Sequence, residues 1–308
     1  MVVRTLVTGG AGFLGSHLCD RLVADGHDVI VLDDFSSGRS VNIRQHDDHP
    51  RFCLVRADVR ECIGVDDVDA IYHLACPASP MTYLRDPIGT ARTAVAGTIE
   101  ALELADRTGA RFLLTSTSEV YGEPEVHPQN ESYLGNVNPI GPRACYDEGK
   151  RMAEALCFDY ARVRGVVVKV ARLFNTYGPR MSDDGRVVSR FIARARRGEP
   201  LVIYGDGSQT RSFCYVSDMV QGLVALMNSP NDFQGPVNLG NPEEATIIEL
   251  AELICSIVGA SAQIQHQPAR RDDPTRRRPD ITLAKQRLGW SPQVGLEEGL
   301  KHTVASGS

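Results

Sequence analysis

No two of the eight cysteines stand in a C-x-x-C spacing, no stretch approaches the roughly 18 consecutive apolar residues of a membrane helix, and no long basic run is present. The first absence argues against a redox motif. Cysteines 19, 53, 62, 76, 145, 157, 214 and 255 lie scattered in apolar surroundings, where reduced and partly buried thiols are expected. No metal site is expected. The second absence gives no membrane partner, and the third, with 39 acidic against 33 basic residues and a formal charge of -6, excludes a nucleic-acid footprint. The opening residues read directly as a first strand, without a basic leader or the apolar core of a signal peptide, so a cytoplasmic location is expected. What remains is an ordinary globular composition: 308 residues, 42% hydrophobic, enough for a sizeable core.

Short β-rich runs at 2–8, 28–33, 52–57, 70–75, 111–117 and 166–172 alternate with stretches long enough for helices. That rhythm predicts an α/β fold, a doubly wound parallel sheet covered on both faces. Helices are predicted at 13–24, 86–107 and 146–164, the second with Pro87 in its first turn. After Asn175 the rhythm loosens. Residues 175–186 read as a long loop, 187–197 as a helix, 201–204 as a strand, and 217–227, 247–259 and 281–289 as further helices. The expected organisation is a dinucleotide-binding domain over 1–175 and a smaller carboxyl-terminal α/β substrate domain over 176–308. Segments near 205–230 and 237–245 return to the first domain, and a substrate cleft is expected between the two.

Gly9, Gly12 and Gly15 fall between a predicted strand and a predicted helix, in the G-x-x-G-x-x-G form. Such a turn brings backbone N–H groups and a helix N-terminus close to a pyrophosphate. Asp33, at the end of the second strand, can accept hydrogen bonds from adenosine ribose hydroxyls and would repel a 2'-phosphate, which favours NAD over NADP even though Arg39 is close in sequence. Asp58, after the third strand, suits either an adenine amino group or a turn cap. Tyr146 and Lys150 are one helical turn apart and so share a face. A neighbouring ammonium favours phenolate and would let a Tyr of reference pKa about 10 act as a base near neutrality. Ser118, after the fifth strand run, is the expected partner donating to the substrate oxygen. Ser116 and Thr117 are alternatives, because adjacent strand residues point in opposite directions. Together these residues suggest hydride transfer at a sugar alcohol.

The chain resembles the extended short-chain dehydrogenase/reductases, and within them the UDP-glucuronate decarboxylases, also called UDP-xylose synthases. The motifs carrying this resemblance are 8–17 (TGGAGFLGSH), 73–80 (HLACPASP), 114–122 (LTSTSEVYG), 136–141 (NVNPIG), 145–151 (CYDEGKR), 171–181 (ARLFNTYGPRM), 204–218 (YGDGSQTRSFCYVSD), 237–242 (VNLGNP) and 272–281 (DDPTRRRPDI). They cover nearly the whole chain. The resemblance implies a Rossmann-like fold and NAD held by Gly9, Gly12, Phe13, Leu14, Gly15, Asp33, Asn42, Asp58, Val59, Leu74, Ala75, Ser116, Tyr146 and Lys150. It implies catalysis by Ser118, Glu119, Tyr146, Lys150 and Arg277. Glu119 would stand beside the reacting sugar carbons and Arg277 beside the sugar carboxylate, with the register of Arg276, Arg277 and Arg278 open. Substrate contacts are implied for Pro80, Tyr83, Arg85, Ser118, Glu119, Asn175, Val188, Tyr204, Arg211 and Arg277. Asn175, Arg211 and the arginine triplet would surround the diphosphate, and Tyr204 the uridine. A homodimer through the helices beginning near Asp86 and Tyr146 is also implied.

The expected reaction converts UDP-glucuronate to UDP-xylose and CO2. Oxidation at C4 creates a β-keto acid, whose carboxylate can leave because the carbonyl accepts its electrons, and the reduced cofactor is then recycled. The alternatives are a UDP-glucuronate 4-epimerase, a decarboxylase that releases UDP-4-keto-pentose, a dTDP-glucose 4,6-dehydratase, and a catalytically weak NAD-binding scaffold.

Overall fold

The computed structural model describes residues 2–61, 63–261, 263–269, 274 and 276–307, so Cys62 and motif residues 272, 273 and 275 lie outside the described residues. The first half of the chain runs β1 (Arg4–Thr8), α1 (Phe13–Ala24), β2 (Asp28–Asp33), β3 (Phe52–Arg56), β4 (Ala70–His73), α2 (Pro80–Arg85), α3 (Pro87–Thr108), β5 (Arg111–Thr117), α4 (Ala144–Arg164) and β6 (Val168–Leu173). It continues through β7 (Thr176–Tyr177), α5 (Val187–Arg196), β8 (Leu201–Tyr204), β9 (Thr210–Ser212), β10 (Cys214–Tyr215), α6 (Val216–Met227), β11 (Val237–Leu239) and β12 (Glu244–Thr246). Last come α7 (Ile247–Val258), β13 (Ile264–Gln267), β14 (Arg276–Arg277), α8 (Thr282–Leu288) and α9 (Leu296–Ala305).

Seven strands form one sheet in the order β11-β6-β5-β4-β1-β2-β3, every pair parallel. Its central strands β1, β2, β4 and β5 read as largely apolar runs because both faces are covered there. Val7 and Val31 face a core shared with Leu18, Leu223 and Trp290, on the side of α1, α6 and α8. Their neighbours Leu6 and Ile30 face the opposite core with Leu102 and Ala153, on the side of α3 and α4. Period-two alternation thus assigns each strand residue to one of two layers. Local chemistry fixes the helix ends. Asp86 caps α3 by accepting from the Gly89 N–H at 2.9 Å, Pro87 occupies the first turn, and Gly109 ends the helix at φ +74°.

A third core lies around Phe191, Leu201, Ile203, Leu250, Ile254 and Leu300, where α5, α7 and α9 cover β8 and β13. A small sheet, β12-β9-β14, runs beside it. Residues 210–215 and 244–246 belong to short strands outside the large sheet, whereas α6 and β11 lie on that sheet, and Ile281, Ala284 and Trp290 also enter its core. The segment 175–186 is not wholly loop, since β7 pairs with β10 through Thr176 and Tyr177. The seven described cysteines are free thiols, with Cys19, Cys157 and Cys214 buried and Cys53 exposed.

Candidate active site

The large sheet reverses its strand order between β1 and β4, and a crevice opens beyond the carboxyl ends of these strands. The glycine turn fills its floor. A Cβ on Gly9 would lie 2.9 Å from the Ala75 Cα, and one on Gly15 would lie 2.2 Å from the Gly9 carbonyl oxygen. Only bare backbone lets β1, the end of β4 and the start of α1 meet this closely. Asp33 is fixed at the crevice edge by the Ala11 N–H at 2.9 Å and the Phe35 N–H at 2.8 Å. Burial raises its pKa, while those two backbone donors oppose the shift. Asn42 donates to the Ala11 carbonyl at 2.9 Å and braces the same turn. Asp58 also borders the crevice, but its carboxylate is engaged by the Arg60 guanidinium.

From this turn a cavity of about 420 Å³ runs past α4 to the smaller core. Tyr146 and Lys150 project from one face of α4 into it, both buried. The Tyr146 ring stacks on that of Tyr83, centroids 5.3 Å apart and planes within 3°. Lys150 Nζ donates to the Thr115 carbonyl at 2.9 Å. The expected lowering of the phenol pKa by Lys150 is not what this arrangement produces: burial pushes Tyr146 well above its ordinary value, Cys76, Glu119 and Asp147 add to the shift, and a hydrogen bond with Thr117 opposes it. The ammonium is turned to a backbone carbonyl and not to the phenol.

Opposite Tyr146 lies a charged cluster. Glu119 Oε2 receives Arg143 Nη2 at 2.5 Å and Arg277 Nη2 at 3.3 Å, and Arg277 Nη1 donates to the Ser118 carbonyl at 2.7 Å. Burial would raise the Glu119 pKa, but Arg143, Arg277 and Arg211 together hold it below the usual carboxylate value. Asp147, 3.8 Å from Arg143 Nε, is pushed up to about 7 by burial and by the Glu119 charge. β14 pairs with β9 so that Arg277 stands opposite Arg211. This settles the arginine register: Arg277 is 1% exposed and lines the cavity, Arg276 is exposed, and Arg278 reaches outward to Glu244 at 3.6 Å. Farther along, Arg190 lies over the Tyr204 ring at 5.1 Å, beside Asn175, Val188 and Arg211.

One cavity therefore gathers Gly9, Gly12, Phe13, Leu14, Gly15, Asp33, Asn42, Asp58, Val59, Leu74, Ala75 and Ser116 at its first end. Pro80, Tyr83, Glu119, Tyr146, Lys150, Asn175, Val188, Tyr204, Arg211 and Arg277 line the rest. Two expected residues stand elsewhere. Ser118 is buried behind the wall and offers its carbonyl to Arg277, while Thr117 lines the cavity and hydrogen-bonds Tyr146. Strand alternation decides between them: Ser116, on the other side from Thr117, sends its hydroxyl to Glu154 at 2.5 Å. Arg85 is exposed at the end of α2 and does not line the cavity, because Tyr83 occupies the inward position of that short helix. Arg143, Arg190 and Cys76 line it without having been singled out from the sequence.

A glycine turn at a strand-order reversal, joined to a buried Tyr and Lys on one helix and an arginine-lined second lobe, is the site of an extended short-chain dehydrogenase/reductase. The family model described as GDP-mannose 4,6 dehydratase matches residues 6–303. UDP-glucuronic acid decarboxylase 1 of Danio rerio is 59% identical over 302 residues, covering 98% of this chain and 72% of that protein. UDP-glucuronic acid decarboxylase 1 of Arabidopsis thaliana is 58% identical over 304 residues, covering 98% and 69%. Among solved structures, UDP-glucuronic acid 4-epimerase from Bacillus cereus in complex with UDP-glucuronic acid and NAD superposes with a TM-score of 0.90 at 30% identity, covering 99% of this chain and 98% of that one. The chain belongs to the UDP-glucuronic acid decarboxylase family.

Proposed function

We infer that the protein decarboxylates UDP-glucuronate to UDP-xylose and CO2, using NAD that is restored within each turnover. The observation that carries this reading is the placement of Glu119 and Arg277 across from Tyr146, in a cavity continuous with the glycine turn. Residues 1–175, with α6, β11 and the segment 281–290 that carries α8, form the dinucleotide-binding part, and the other carboxyl-terminal segments form the nucleotide-sugar part.

The crevice fits a dinucleotide, because Gly9 and Gly15 leave no room for side chains where backbone must approach the ligand and Asp33 is held at its edge. Gly12, Phe13, Leu14 and Gly15 would hold the pyrophosphate side, Asp33 and Asn42 the adenosine side, and Lys150 the nicotinamide ribose. When bound, NAD supplies a two-electron acceptor and a positively charged ring. Tyr146 takes the proton from the C4 hydroxyl, assisted by Thr117, and returns it when the C4 alcohol is re-formed. Arg277 faces the C5 carboxylate, whose bond to the ring can break once C4 is a carbonyl that accepts the electrons; the enolate so formed takes up one proton at C5 before hydride returns to C4. Arg211, Asn175, Arg190 and Tyr204 hold the uridine diphosphate, the arginines through donor forks suited to phosphate oxygens.

Incubation of the purified protein with UDP-glucuronate is expected to give CO2 and UDP-xylose in equal amounts without stoichiometric added NAD. UDP-galacturonate as the sole product would make the protein an epimerase, and UDP-4-keto-pentose with NADH a releasing decarboxylase. Asp33→Ser is expected to weaken NAD binding about 10-fold by removing a charged acceptor and to narrow the preference over NADP. Fluorescence titration with both dinucleotides measures this, and an unchanged preference would remove Asp33 from the adenosine site.

A homodimer built on α3 and α4 is the proposed assembly, supported by Ile88, Met152 and Val163, which are exposed apolar side chains on these two helices. A cytoplasmic location is proposed on the free thiols of the seven described cysteines. Among the described residues, no helix is long and apolar enough to cross a membrane.

A further inference from the structure

Glu119 holds two arginines on one oxygen, and the two contacts are unequal. Arg143 Nη2 stands at 2.5 Å and Arg277 Nη2 at 3.3 Å. Arg143 lies at the start of α4, three residues before Tyr146, and its other edge faces Asp147 at 3.8 Å. Arg277 is anchored independently by its donation to the Ser118 carbonyl. A lone Glu119–Arg277 pair would present an incoming carboxylate with a group already neutralised. With Arg143 making the shorter contact, Glu119 neutralises Arg277 less completely, and Arg277 still lines the cavity.

We propose that Arg143 is a positioning residue that draws Glu119 out of a close pair with Arg277, leaving the longer 3.3 Å contact, and so keeps Arg277 able to take the carboxylate of an acidic nucleotide sugar. The inference rests on the substrate reading above and adds the residue that makes the site selective for an acid over a neutral sugar. The charged groups acting on one another here are Glu119 and Asp147 against Arg143, Arg277 and Arg211, with Glu148 outside the cavity paired to Arg151. Without Arg143, Glu119 closes on Arg277, and the acidic sugar must compete with an internal carboxylate for the same donor.

The test is calorimetric binding of UDP-glucuronate and of UDP-glucose, its neutral C6-alcohol counterpart, to NAD-containing protein in which the reference and every variant also carry Tyr146→Phe, so that bound sugar is not turned over. Arg143→Met is expected to weaken UDP-glucuronate about 10-fold or more, the scale of one charged hydrogen bond, and UDP-glucose by less than about 3-fold. Neutralising Glu119 should make Arg143 dispensable, so Glu119→Gln/Arg143→Met is expected to bind UDP-glucuronate within about 3-fold of Glu119→Gln alone. Equal weakening of both sugars by Arg143→Met, as for a merely structural residue, would overturn the proposal. So would a further loss of UDP-glucuronate in the double variant, which would mark Arg143 as a direct ligand. Should Arg143→Met fail to fold, the comparison of Glu119→Gln with the double variant decides by the same criterion. A Tyr146→Phe reference that binds UDP-glucuronate no better than UDP-glucose, together with wild-type protein that forms no UDP-xylose, would instead remove the substrate reading, and the inference with it.

Discussion

Tyr146→Phe is expected to lower kcat on the order of 1000-fold while leaving the protein folded and able to bind NAD. The phenylalanine ring can keep the stack on Tyr83, centroids 5.3 Å apart, and fill the same buried volume, so the lost atom is the hydroxyl that hydrogen-bonds Thr117 and that we propose takes the sugar proton. Burial raises the pKa of that hydroxyl, Cys76, Glu119 and Asp147 add to the shift, and the Thr117 hydrogen bond opposes it. UDP-xylose formation, thermal midpoint and NAD titration together measure the effect. Turnover within 10-fold of wild type in a folded variant would mean that another group removes the C4 proton.

Arg277→Met is expected to act on both stability and substrate binding. It strips the Ser118 carbonyl of its buried donor and Glu119 of one of its two direct arginine contacts, a loss of about 3 kcal/mol that is moderated by the Arg143 contact. That corresponds to a fall in thermal midpoint of roughly 5–10 °C. The KM for UDP-glucuronate should rise on the order of 100-fold, as expected when a desolvated charge pair is truncated. A stability loss with unchanged KM would restrict Arg277 to holding the β5 end in place.

The parts of this molecule that could be read from its sequence are those whose causes are local. β1, β2, β4 and β5 are apolar runs because each is buried on both faces, and the Gly9 to Gly15 turn is marked by residue type. Tyr146 and Lys150 are legible because four residues make one helical turn. Residue spacing could not separate Thr117 from Ser118, since the choice depends on which way β5 faces at its last residue. The Glu119–Arg277 contact joins positions 158 apart through β14, a two-residue strand with no periodicity of its own. Alternation in β14 puts Arg277 inward with Arg276 and Arg278 outward, a distinction unreadable until the strand itself is known. Arg85 and Tyr83 are separated in the same way by the rotational setting of α2, six residues long.

The chain crosses repeatedly between its cores: α6 and β11 return to the large sheet, and Ile281, Ala284 and Trp290 seal it again near the carboxyl end. A cassette exchange that cut once near residue 175 would leave the face holding Val7 and Val31 with α1 alone, without α6 and α8, and give a sticky, misassembling fragment. Transplanting sugar recognition between relatives of this fold therefore calls for a mosaic of short grafts around Tyr204, Arg211 and Arg277, with the sealing helices left in their parent scaffold.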